Sequence, residues 1–344
     1  MAMEFDPNAA STADSGLFGL PCGPGEALVH VLGVPFEATT SYRGGTAHGP
    51  AAVLAASRQI DLFDLRFGKP YEEGIWMAPI DGRMHEWNAA ARALAQPIIE
   101  KGGADATDTE AVERIDRIGD DVNRSVRAFF EERLSEPSPR IPVLIGGDHS
   151  TPFGAIAACA DRYPGLGVLQ FDAHADLRPA FEGLRWSHAS IMHNVLHEMG
   201  NVSKIVQVGI RDLCEQEHDV LMGDAPVHAV FEADLSEARQ TRDLRGLARR
   251  TIQSLPDDIY ISFDIDGLDP TLCPNTGTPV PGGLAWDEVT VWLEELATSG
   301  KRIVGLDLNE VSPGPGGDPD GKSWDAIVGA RLLYRLIGAA LLTQ

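Results

Sequence analysis

Leu166-Gly-Val-Leu-Gln-Phe-Asp172-Ala-His174-Ala-Asp176 passes from a short apolar run directly into carboxylates and an imidazole. A run of this length, rich in branched side chains, reads as a buried strand. Two other stretches repeat the design. Ile259-Tyr-Ile-Ser-Phe-Asp264-Ile-Asp266-Gly267-Leu-Asp269-Pro270 ends in aspartates, and Ile141-Pro-Val-Leu-Ile145 runs into Gly146-Gly147-Asp148-His149-Ser150. Ligands of open parallel sheets sit beyond the carboxyl ends of the strands, so all three clusters are expected to converge on one site. Residues i, i+2 and i+4 share one face of a strand. Just past a strand end, the spacing Asp172-x-His174-x-Asp176 can converge on one point. Asp264-x-Asp266 does the same from another strand. The glycine pair before Asp148 lets the backbone turn sharply towards His149.

One aspartate at a strand end is usually a turn former or a helix cap. Three clusters at three strand ends exceed what capping explains, and packed aspartates without cations would repel one another. The reading is therefore a site for two divalent cations. Carboxylates and imidazoles suit manganese, nickel, cobalt, iron or zinc, and no thiolate lies near in sequence. Two such ions roughly 3.5–4 Å apart can share one water and lower its pKa towards neutrality. A dinuclear metallohydrolase is expected.

Strands and helices alternate along the chain. Strands are expected at Ala27–Gly33, Ile141–Ile145, from Leu166, at Lys204–Ile210, from Ile259 and at Lys301–Leu306. Helices are expected from Pro50, at Glu110–Leu134, Thr151–Arg162, Ser236–Ser254, Trp286–Thr298 and Ser323–Leu342. Within Glu110–Leu134, Val112, Ile115, Ile118, Val122, Val126 and Phe129 recur at helical spacing. Near-continuous apolar strands alternating with helices indicate an α/β fold, a parallel sheet covered on both faces. Residues 1–25 read as a loosely ordered N-terminal extension, and 26–344 as a single domain. The stretch Glu72–Asp108 is less regular and reads as an insertion or a lid.

The 344 residues carry a formal charge of −23, which repels phosphate backbones and argues against nucleic-acid binding. The same charge attracts a cationic small molecule. No apolar run is long enough to cross a bilayer, and the N-terminus lacks the pattern of a secretory signal. Cys22, Cys159, Cys214 and Cys273 are scattered, so a reduced, cytoplasmic chain is expected.

Taken together, Gly146–Ser150, Phe171–Asp176, Ser187-His188, Ser262–Pro270, Pro279–Gly283 and Leu306–Pro313 resemble the ureohydrolases, the arginase and agmatinase superfamily. The similarity runs from about Gly33 to the C-terminus. Thr39–Pro50, with Ser187-His188, looks agmatinase-like rather than arginase-like. The resemblance implies a three-layer fold around a parallel sheet of about eight strands. It implies that His149, Asp172, Asp176 and Asp264 hold one metal and that Asp172, His174, Asp264 and Asp266 hold the other. Asp172 and Asp264 would bridge, and the pair would be Mn2+ or Ni2+. His188 matches the family's proton shuttle. Glu310 matches the carboxylate that grips the guanidinium, and Asp176 would hydrogen-bond the attacking hydroxide. The reaction implied is cleavage of a guanidino compound to urea plus an amine, or ammonia if the substrate is guanidine.

No set of groups for an amino-acid head is apparent, which disfavours arginine. Agmatine, guanidinobutyrate, guanidine or a biguanide such as metformin remain as candidates. Departures from the relatives fall at Ala189–His193, in the Arg178–Arg185 loop facing the substrate tail, and at Tyr71–Gly103. Trp186 reads as a pocket wall or as packing, and His30, His193, His197 and His218 as ordinary histidines. Two other readings compete. A metal-dependent deacetylase of similar architecture needs one zinc and leaves His149, Asp176 and Asp266 unexplained. A non-catalytic scaffold subunit leaves the whole set unexplained. The resemblance further implies a trimer or hexamer, with room for a related subunit.

Overall fold

The computed structural model describes residues 5–314, 316–318 and 320–344. Eight strands form one sheet: β1 (Val29–Gly33), β2 (Ile75–Met77), β3 (Ile141–Ile145), β4 (Leu166–Phe171), β5 (Val202–Ile210), β6 (Val227–Phe231), β7 (Asp258–Asp264) and β8 (Arg302–Asn309). Their order is β2-β1-β3-β8-β7-β4-β5-β6, and every pairing is parallel. Strands buried on both faces explain the near-continuous apolar runs.

Among the described residues, ten α-helices surround the sheet. Against one face pack α1 (Gly49–Ser57), α8 (Leu244–Gln253), α9 (Trp286–Ala297) and α10 (Trp324–Leu342). They enclose Val31, Ile145, Phe171 and Phe263. Against the other pack α2 (Gly82–Glu100), α3 (Thr109–Leu134), α4 (Phe153–Arg162) and α5 (Ile191–Glu198). They enclose Leu144, Val168 and Tyr260. Helices α6 (Glu215–Met222) and α7 (Glu232–Thr241) flank β6 at the sheet's far edge. Among the described residues, no helix is long and apolar enough to cross a membrane.

Register decides where the site falls. Phe171 pairs with Phe263, Asp264 with Asn309, and Ile145 with Leu308. The first residues beyond β3 and β4 therefore stand level with the last residues of β7 and β8. Gly146 and Gly147 permit the close approach there. A β-carbon would lie 2.0 Å from the Asn309 side chain at Gly146, and 2.0 Å from the Phe36 carbonyl at Gly147.

Some expectations are corrected. The single helix expected over Ser236–Ser254 is two, α7 and α8. Arg242 at φ 59° breaks it, and Asp243 accepts from Leu247 to start the second helix. Both halves keep an apolar stripe, so the pattern hides the break. Glu72–Asp108 is not a lid. It supplies edge strand β2 and α2, whose Met84 and Ala91 sit in the core beside Ile118 and Val122. Strand β6 and helices α5 and α6 are too short to announce themselves in the sequence. Within the segment read as loose, Leu17, Phe18 and Leu20 are buried. The Phe18 amide donates to Ser57 Oγ at 2.9 Å, and its ring meets Tyr334 edge-on at 4.8 Å.

Candidate metal centre

Three strand ends deliver the six expected side chains to one point. His149 Nδ1 lies 2.9 Å from Asp172 Oδ2, 3.2 Å from Asp176 Oδ2 and 3.3 Å from Asp264 Oδ2. His174 Nδ1 lies 3.0 Å from Asp266 Oδ2 and 3.6 Å from Asp172 Oδ1. Two groups, His149 with Asp172 and Asp176, and Asp172 with His174 and Asp266, are compact enough to hold an ion each. Asp172 belongs to both. All except His174 are buried.

The donor set fits a pair of divalent cations. Four aspartates bring four negative charges to a buried spot, matching the charge of two such ions. His149 Nδ1 faces three carboxylate oxygens yet makes no hydrogen bond to any of them. That arrangement suits coordination better than hydrogen bonding. Without cations, protons take their place. Burial works against charge on His149, but Asp172, Asp176 and Asp264 together push it well above the usual imidazole range. Burial and then the Asp172 charge push Asp176 up to about 7. Burial, with Asp266 and Asp172, pushes Asp264 well up. Asp172 goes the other way: burial opposes its charge, but His149 and His174 hold it well below the usual carboxylate range.

Local hydrogen bonds aim these ligands. Asp172 Oδ1 accepts from His174 N at 2.7 Å, Asp264 Oδ1 from Asp266 N at 2.9 Å, and Asp266 Oδ1 from Ala173 N at 3.0 Å. A further ring of side chains was not read from the sequence. His149 Nε2 meets Ser262 Oγ at 2.9 Å, and Ser262 Oγ donates to Asp307 Oδ1 at 3.1 Å. Gln170 Nε2 donates to Asp172 Oδ2 at 2.7 Å, and Gln207 Nε2 to Gln170 Oε1 at 2.6 Å. Such partners orient metal ligands. A signal for them existed: Gln170 and Gln207 are fully buried polar residues at paired positions in apolar strands.

Glu310 stands behind His149 at φ 61°. Its Oε1 accepts from His149 N at 3.0 Å. Its Oε2 is buried and has no hydrogen-bond partner among the described residues. A β-carbon at Gly277 would lie 3.3 Å from that oxygen, so a side chain there would crowd it. Burial and then the charges of Asp264, Asp148 and Asp266 push Glu310 well up.

His188 and Asp176 line a cavity of about 160 Å³ with His174, Arg178, Phe181 and Asp212. Burial, then the charges of His174 and His149, lower His188 to about 4, which leaves its ring neutral at physiological pH. Trp186 stands next to this segment in the chain and donates to Asp120 at 3.0 Å. Larger hollows of about 660 and 710 Å³ run along the N-terminal segment. None of the candidate residues lines them.

Comparison with known proteins agrees with this geometry. The model described as the arginase family matches residues 27–338. N(1)-aminopropylagmatine ureohydrolase of Synechocystis sp. is 32% identical over 91% of this chain and 89% of its own length. Agmatinase of Pyrococcus horikoshii is 32% identical over 90% of each chain. The proclavaminate amidino hydrolase structure from Streptomyces clavuligerus superposes with TM-score 0.70 at 25% identity, covering 98% of this chain and 100% of that one. The chain therefore belongs to the arginase family, in its agmatinase-like branch of ureohydrolases, which are hydrolases of carbon–nitrogen bonds in linear amidines.

Proposed function

We propose that the protein hydrolyses a small or substituted guanidino compound to urea and an amine. The observation that carries this reading is the buried Oε2 of Glu310, without a hydrogen-bond partner among the described residues, beside Gly277 and close to a cluster of potential cation ligands. A guanidinium is always protonated and offers paired N–H donors. It satisfies a buried carboxylate better than a neutral ligand would.

His149, Asp172, Asp176 and Asp264 would hold one divalent cation, and Asp172, His174, Asp264 and Asp266 the other. Manganese or nickel suits these donors. When bound, such a pair supplies the Lewis acidity that ionises water near neutral pH. Glu310 binds the guanidinium and orients its central carbon towards the aspartates. As that carbon becomes tetrahedral, Asp176 accepts a hydrogen bond from the added hydroxyl. The amine leaves readily only if protonated. The neutral imidazole of His188, lining the cavity, takes at Nε2 the proton that the attacking water loses and passes it to the leaving nitrogen.

A cavity of about 160 Å³ is small beside typical ligand pockets of roughly 300–1,000 Å³. It favours a compact guanidino group with a slender tail. Agmatine, guanidinobutyrate, guanidine and biguanides such as metformin are the compounds to compare, together with aminopropylagmatine. The test is a urea-release screen across them, run on manganese-loaded and nickel-loaded protein. Turnover of at least one, with two ions per chain, is expected. Release of acetate from acetylated amines with one zinc per chain would replace this reading with a deacetylase. We further propose a trimer or hexamer, to be measured by light scattering.

A further inference from the structure

Thr39 comes from the turn-rich segment after β1, 149 residues before His188, yet its hydroxyl sits between His188 and Asp148. Thr39 Oγ1 accepts from His188 N at 3.0 Å and donates to Asp148 Oδ2 at 3.1 Å. It also lies 3.3 Å from His188 Nδ1. Asp148 accepts three further hydrogen bonds. Its Oδ1 accepts from Ser150 N and Oγ, and its Oδ2 accepts from Thr39 N.

A hydroxyl has one proton. Here that proton points to Asp148 Oδ2, which also accepts from Thr39 N. The contact between Thr39 Oγ1 and His188 Nδ1 is favourable only if Nδ1 brings its own hydrogen. Resting on the ureohydrolase reading, we infer that Thr39 is a positioning residue. It fixes His188 in the Nδ1–H tautomer, so that Nε2 carries the free lone pair that takes the proton.

The structure also shows what holds Thr39 in place. Arg92 on α2 donates to the carbonyls of Thr40 at 2.6 Å and Ala38 at 3.3 Å, one on each side of Thr39. Asn88, one turn earlier on the same helix, accepts from Glu37 N at 2.8 Å. Helix α2 thus clamps the segment that presents the hydroxyl.

The test pairs kinetics with a tautomer measurement. Thr39→Val removes the hydroxyl and keeps the shape. It is expected to lower kcat for urea release by about tenfold or more, with KM within about twofold, because a misheld proton carrier slows the chemical step. Bound metal per chain should be unchanged. Thr39→Ser, which restores the hydroxyl, should recover most of the lost kcat. Wild-type kcat in Thr39→Val would overturn the inference, as would Thr39→Ser as slow as Thr39→Val. Independently, nitrogen NMR of protein labelled at histidine, with the His188 signal identified by its loss in His188→Gln, should show Nδ1–H. An Nε2–H pattern overturns the inference. This second readout needs no turnover, so it decides the matter if Thr39→Val does not fold. A wild-type protein releasing no urea would instead sink the ureohydrolase reading.

Discussion

The floor of the site and its wall are built by opposite means. The floor consists of Asp172, His174, Asp176, Asp264 and Asp266 with His149, each within a few residues of a strand end. Pairing of β7 with β4 and β8 sets their level, so one fact about register places most of the ligands. The wall has no such generator. His188 takes its orientation from Thr39, and Thr39 from Arg92 and Asn88 on a helix some 50 residues further along the chain. A floor made by backbone pairing is rigid because the sheet is. A wall made by side-chain hydrogen bonds can vary between relatives without disturbing the floor. If this contrast holds, floor substitutions remove metal and turnover together, whereas wall substitutions slow turnover and leave the metal in place.

The largest effect is expected for Asp264→Asn. Its carboxylate reaches His149 and caps the turn carrying Asp266. Even the outer partners of metal ligands are worth about 10–100-fold in affinity or activity, so a lost ligand should exceed about 100-fold. Metal analysis and urea release should fall together. Two ions retained with near-normal turnover would break the account of the floor.

Glu310→Gln comes next and lies where floor meets wall. It keeps the shape and removes the charge. A hydrogen bond to a charged group is worth roughly 1.5–3 kcal/mol, or about 10–100-fold in kcat/KM. The same change removes a buried carboxylate crowded by Asp264 and Asp148. The substrate-free protein should therefore melt no lower than wild type. A variant that is both inactive and unstable would mean that Glu310 holds the fold rather than the substrate.

Arg92→Ala tests the wall alone. Losing two bonds to the Ala38 and Thr40 carbonyls should lower kcat by about threefold to tenfold through a loosened proton carrier. Two ions per chain should remain by metal analysis. Loss of metal in this variant would erase the distinction between floor and wall.

The same contrast explains what could be read in advance. The strands β3, β4 and β7 are legible because each apolar run stops at candidate ligands, and a parallel sheet carries those ends to one side. His188 and Glu310 were not legible from spacing; only likeness to a family singled them out. Thr39, Asn88 and Arg92 were invisible because nothing local marks a threonine whose partner lies 149 residues away. Ser262 and Gln170 were hidden inside strands whose apolar character dominates. Helix α2 lies in the stretch that reads as an insertion or a lid, because its mixed surface gives a weak periodic pattern, although Met84 and Ala91 are in the core. The break at Arg242 could not be seen because a left-handed residue other than glycine carries no compositional mark.

The smallest expected effect concerns the floor without its cations. In the metal-free chain, Asp176 is raised to about 7 by burial and the Asp172 charge. Asp264 is raised by burial and its neighbours, and His149 and His174 are raised by the carboxylates despite burial. A raised folded pKa means stability that is present below the unfolded value and lost as pH climbs through the folded one. Between pH 5 and 8, all four groups make the folded chain hold more protons than the unfolded chain, so stability falls with rising pH. Asp172, lowered, contributes in the opposite sense, but its contribution is complete above about pH 5 and adds no slope in this window; His188, lowered to about 4, adds stability between pH 5 and about 6.5, one group against four. Metal-free protein should therefore melt a few degrees lower at pH 8 than at pH 5, taking ~2–4 °C per kcal/mol as the scale. Cations that displace these protons bind better as pH rises. Adding manganese or nickel should then raise the melting temperature more at pH 8 than at pH 5. Equal gains at both values would mean that the ions do not replace protons on these aspartates and histidines, and the floor would have to be rebuilt from other ligands.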